Sequence, residues 1–179
     1  MMSSHGSQLR RPVDDHDHSQ GPATAPVTLV EYGDYECPYC GAAYPIVKEI
    51  QQRLGDRLRF VFRNFPITTA HPHAEHAAEA AETAGAQGKF WEMHDELYEH
   101  QNALTDRDLE AHAEAVGLDV ERWVADMEAQ TFAERVRTDF MGGVRSGVNG
   151  TPSFYVNGAK YDGDYSFEAL LAELERAVT

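Results

Sequence analysis

Residues 27–32, Val-Thr-Leu-Val-Glu-Tyr, are β-branched and apolar with little alternation, the pattern of a strand buried on both faces. A helix is expected to start around Cys37. Pro38 suits its first position, where the missing N–H costs nothing. Tyr44, Val47, Ile50 and Leu54 keep helical spacing, Gly55 suits the stop, and Pro45 should kink the helix. Residues 58–65, "LRFVFRNF", read as a second buried strand. Strand, helix and strand at this spacing predict a βαβ unit with two parallel strands.

From Pro72 to about Val148 the period becomes helical. "HAEHAAEAAETAG" is rich in alanine and ends at Gly85; Phe90, Met93, His94, Leu97 and Tyr98 form one apolar stripe. Thr105 with Asp108 has the form of a capping box, Asp119 can cap the next helix, and Thr131 with Glu134 suggests a further box. Gly142-Gly143 is a weak point inside that last helix. The period then changes again. "TPSFYV" is a strand, Asn157-Gly158 is a hairpin signal, "AKYDG" should return antiparallel, and Ser166 can cap a final helix. The order β-α-β, helical block, β-β-α is α/β.

Composition narrows the partners. The 179 residues are enough for one domain, expected over 23–179. Residues 1–22 read as a mostly disordered acidic and His-bearing tail. With 30 acidic against 15 basic residues, the net charge of −15 argues against nucleic acid or anionic lipid as a partner. No apolar run reaches the length of a membrane span. The first residues lack the apolar core of a secretory signal, so a cytoplasmic location is expected, or a periplasmic or secreted one if a leader was removed. A monomer is favoured.

The only two cysteines, Cys37 and Cys40, stand three apart in "DYECPYC". Random placement would give this separation about one time in a hundred, so coincidence is a weak account. The pair falls between a strand end and a helix start, where α/β proteins place ligands and chemistry. Unpaired N–H groups and the positive end of the helix dipole stabilise a thiolate at Cys37. Cys40, one turn on, is placed to resolve a mixed disulfide formed there. Asp34 and Glu36 oppose the thiolate unless solvent screens them. The rival is a metal site completed by His71, His73 and His76, or by His16 and His18. Zinc wants four ligands, and no second ligand pair has zinc spacing, so no metal ligand is assigned.

These residues resemble the thioredoxin superfamily, and within it the DsbA-like branch of cytoplasmic and antiporter-fused type. The resemblance rests on "VTLVEY", "CPYC", Pro45 and "GTPSFYVNG", with the helical block over about 72–148 as the branch's insertion. It implies a thioredoxin fold and a thiol–disulfide oxidoreductase that needs no cofactor beyond the Cys37–Cys40 dithiol. It also implies protein or glutathione-type thiol partners, a cis-proline step at Thr151-Pro152 beside the dithiol, Glu31 as a proton relay, and Tyr39 as the position that tunes potential. Periplasmic oxidases of this branch have histidine between the cysteines where Tyr39 stands, which speaks against a strongly oxidising role. A non-catalytic redox-sensing module of the same fold is the main alternative, and a metal-binding protein the lesser one. Kappa-type glutathione transferases share the architecture but usually have serine at the first cysteine.

Overall fold

The computed structural model describes residues 6–179. Among them, β1 (His18–Gln20), β2 (Val27–Gly33), β3 (Leu58–Asn64), β4 (Ser153–Val156) and β5 (Ala159–Tyr161) form one sheet in the order β1-β3-β2-β4-β5. The helices are α1 (Pro38–Leu54), α2 (Ala74–Gly85), α3 (Phe90–Glu99), α4 (Asp106–Ala115), α5 (Val120–Glu128), α6 (Ala133–Arg145) and α7 (Phe167–Val178). The chain divides into two compact units. One is the stretch ending at Gly33 with Ala42–Arg63 and Met141–Thr179; the other is Asp34–Gly41 with Asn64–Phe140.

The first unit contains the sheet. β2 and β3 read as buried runs and are buried almost throughout, as expected for central strands covered on both faces. β2 pairs antiparallel with β4, Glu31 standing opposite Phe154 and Tyr32 opposite Ser153. Asn157 (φ 48°) and Gly158 (φ 88°) turn β4 into antiparallel β5, the double positive φ that selects Asn-Gly in two-residue hairpins. Ser166 caps α7 by accepting from the Ala169 N–H, and Leu170 and Leu174 are fully buried.

The N-terminal segment corrects the expectation of a disordered tail. Residues 1–5 lie outside the described residues, but from Gln8 onward the segment is structured. Gln8 forms a bridge with Ala159, and β1 pairs antiparallel with β3. The cause is Arg63, a cation with no exposed surface in an otherwise apolar strand. Its guanidinium grips Asp17 through two bonds of 2.9 Å. It also donates to the carbonyls of Arg11 and Pro12 and to the Tyr32 hydroxyl. A buried charge has to find partners, and here the segment before β1 supplies them. The folded part therefore starts before residue 23.

The helical block expected over about 72–148 is α2 to α6, from Ala74 to Arg145, and the second unit holds it from Asn64 to Phe140. That unit also takes in Asp34–Gly41, and with them both cysteines. Ala74, Ala77, Ala78, Ala80, Ala81 and Ala84 are buried along α2, and their small side chains let α3, α4 and α5 pack close against it. Thr105 and Asp108 make the reciprocal capping box, and Asp119 caps α5 by accepting from the Arg122 N–H. Thr131 behaves differently: its hydroxyl donates back to Asp126 at 3.3 Å, and α6 begins at Ala133. α6 then runs unbroken through Gly142-Gly143. No helix among the described residues is long and apolar enough to cross a membrane.

Candidate active site: the Cys37–Cys40 loop

β2 ends at Gly33 and α1 starts at Pro38, leaving four residues to turn the chain. The turn closes locally: the Cys37 N–H donates to the Asp34 carbonyl at 3.1 Å, and the Gly41 N–H to the Cys37 carbonyl at 3.0 Å. Cys37 thus sits immediately before the first residue of a 17-residue helix, at the positive end of its dipole. Neither cysteine is in a disulfide, and Cys37 is 3% exposed while Cys40 is fully buried. The Asp34 N–H points at Cys40 Sγ at 3.5 Å, a donor that favours negative charge on the second sulfur. Pro38 and Tyr39 lie at the surface, and Tyr39 is 67% exposed between the two thiols.

Asp34 and Glu36 do not rely on solvent screening. Asp34 is 1% exposed, and its carboxylate is fully engaged. Oδ1 accepts from the Glu36 N–H at 2.8 Å, while Oδ2 accepts from the Ile67 N–H at 2.9 Å and faces His71 Nδ1 at 2.7 Å. Burial works against charge on His71, but the hydrogen bond and charge of Asp34 outweigh it, with Cys37 and Glu36 adding to the effect. Its pKa is raised above the ordinary histidine value. The interaction is reciprocal: a cation held at His71 by the Cys37 thiolate also stabilises that thiolate. Glu36 Oε1 accepts from the His73 N–H at 2.9 Å.

Gln101 was not singled out from the sequence. Its carboxamide N–H groups bridge the carbonyls of Tyr35 and Cys37, both at 2.9 Å, holding the loop from the residues after α3. Gly41 makes room for it, since a Cβ there would run into the Gln101 side chain. Tyr35, buried beside the thiols, bonds His94 Nδ1 through its hydroxyl at 2.9 Å. Among the described residues, His71 and His76 do not join the cysteines in a metal cluster: His71 is on Asp34 and His76 on Asp106, at 2.7 Å each. Among the residues read as supports, Glu31 is buried in β2 at 3% exposure, and Thr151 and Pro152 precede β4 with the peptide bond between them cis.

A dithiol at a strand-to-helix turn is compatible with several thioredoxin-like folds, and the thioredoxin family profile matches residues 14–176. The chain is a DsbA-like member of the thioredoxin family. BdbD of Bacillus subtilis, in its oxidised form, superposes with a TM-score of 0.84 at 26% identity, covering 97% of each chain. A thioredoxin-like oxidoreductase of Silicibacter pomeroyi gives 0.81 at 32% identity, covering 92% of this chain and 93% of that one. The fold is therefore the α/β thioredoxin fold, with α2–α6 inserted between β3 and β4. Among curated relatives, the Na(+)/H(+) antiporter NhaA 1 of Salinispora arenicola is 49% identical over 94% of this chain. The chain spans about a quarter of that relative's length, 26%.

Proposed function

We propose that this DsbA-like domain exchanges disulfides with protein or glutathione-type thiol partners through Cys37 and Cys40. The observation that carries the proposal is the pair of cysteine thiols at the start of α1, with Cys37 at the helix terminus and the Asp34 N–H on Cys40 Sγ. In the reducing direction, the Cys37 thiolate attacks a partner disulfide, forming a mixed disulfide and releasing one partner thiolate. Cys40, as thiolate, then attacks Cys37 Sγ, closing the Cys37–Cys40 disulfide and expelling the second partner thiolate. Two electrons pass to the partner, and the same steps in reverse oxidise a dithiol. Glu31 takes or returns the Cys40 proton, the Thr151 backbone pairs with an extended partner segment, and exposed Tyr39 flanks the attacked bond. The reading includes a monomer in a cytoplasmic setting.

Insulin reduction and oxidation of a dithiol peptide test this, with Cys37→Ser as the control. Turnover lost in Cys37→Ser, and a mixed disulfide trapped in Cys40→Ser, are expected; parent-rate turnover in Cys37→Ser sinks the proposal. The antiporter relatives support a second reading, in which the dithiol reports redox state to a larger protein. A Cys37–Cys40 couple that titrates reversibly but turns over negligibly would select it.

A further inference from the structure

Glu96 on α3, His100 just after it and His112 on α4 bring three ligand-type side chains together, with one ligating atom of each within 4.8 Å of the others. All three belong to the helical unit. Glu96 and His100 are four apart and so share a face. His112 is the most constrained. It is buried, and its Nε2 lies 2.8 Å from the Ala103 carbonyl, which can only accept, so Nε2 carries a hydrogen. In its neutral form the ring then turns the lone pair of Nδ1 toward Glu96 Oε1 at 3.0 Å. Two acceptors at that distance repel unless a proton or a metal cation joins them.

The spacing suits a metal. Donor atoms around a tetrahedral zinc, with bonds of about 2.0–2.2 Å, stand about 3.3–3.6 Å apart. Here the edges from Glu96 Oε1 are 3.0 Å to His112 Nδ1 and 3.5 Å to His100 Nδ1. The Ala103 carbonyl on the remote nitrogen is also what orients metal-bound imidazoles. His100 Nδ1 now bonds the Glu96 carbonyl at 2.8 Å. That ring is half-exposed at a helix end, where water can take over the carbonyl and free a ring nitrogen.

We propose that Glu96, His100 and His112 form a binding site for a zinc-type divalent cation, with water completing a tetrahedral set. Two imidazoles and a carboxylate are borderline donors that suit Zn2+ better than Ca2+ or Mg2+. The site is separate from the dithiol and needs neither cysteine. His100 is also the neighbour of Gln101, which grips the Cys37 carbonyl.

The experiment titrates Zn2+ into the full chain with Cys37–Cys40 oxidised, so that thiolates cannot ligate, by calorimetry and by thermal melting. One equivalent should bind and raise the melting temperature. Glu96→Gln should abolish this, and His100→Gln should weaken binding about tenfold or more. His100 is exposed, so its variant reports binding rather than folding, and the metal-free melting temperature of each variant checks that. Absence of binding by the oxidised wild-type chain, or binding of undiminished strength in both variants, overturns the proposal.

Discussion

A carboxylate three residues before Cys37 should disfavour a thiolate there, yet Asp34 is buried and tied at 2.7 Å to His71. The pair puts a cation 34 residues after Cys37 where the sequence between the cysteines offers only Tyr39. His71 titrates above the ordinary histidine value, so the cation persists to higher pH than on a free histidine, and its help to the thiolate fades as pH rises through that raised pKa. His71→Ala should raise the pKa of the Cys37 thiol and slow its alkylation at pH 7 by roughly threefold to tenfold. It should also make the couple more reducing, because the reduced form loses stabilisation. Iodoacetamide kinetics against pH read the first effect, and equilibration with glutathione reads the second. Unchanged alkylation across pH 5–9 would remove His71 from the site. Gln101→Ala separates positioning from charge: it should loosen the loop and slow exchange while leaving the Cys37 titration near that of the parent.

The element that depends most on one side chain is the segment before β1. Arg63→Leu removes the guanidinium that binds Asp17, Arg11 and Pro12, leaves buried Asp17 with only the longer Arg11 pair and the Asp14 N–H, and should cost about 3–5 kcal/mol in urea unfolding. Hydrogen exchange should then rise first in residues 8–20. Burial alone would raise the Asp17 pKa, but the bonds and charge of Arg63 outweigh it and hold it below its usual 3.8. That stability is therefore present above pH 3.8 and lost as pH falls through the lower folded value. At the start of α4, Thr105→Ala removes the hydroxyl that accepts from the Asp108 N–H, leaving Asp108 to accept from the residue 105 N–H, and should cost about 1 kcal/mol. Periodicity and local turn chemistry made β2, α1, β3, the Asn157-Gly158 hairpin and the Thr105, Asp119 and Ser166 caps legible, because each acts within a few residues. The ordered N-terminal segment was not legible, since Asp17 and Arg63 meet across 46 residues. The same holds for His71 on Asp34, 37 apart, and Gln101 on the Cys37 carbonyl, 64 apart. The cysteines stood out because their spacing is local; the residues that tune and hold them did not.

For the whole molecule, a net charge of −15 sets a field that any partner of the dithiol must cross. Glutathione disulfide is anionic at neutral pH, so the field lowers its local concentration, whereas a cationic peptide disulfide is enriched. Raising ionic strength from about 0.01 M to 0.15 M shortens the screening length from about 30 Å to about 8 Å. Second-order exchange with glutathione disulfide should therefore speed up by roughly threefold or more over that range, and exchange with a lysine-rich peptide disulfide should slow by a similar factor. Stopped-flow rates for the two substrates, measured on the same reduced protein, supply the comparison. Opposite salt slopes would mean that the acidic surface selects partners before Cys37 meets them. Parallel slopes would mean that the charge serves only solubility, leaving selection to the loop around the dithiol.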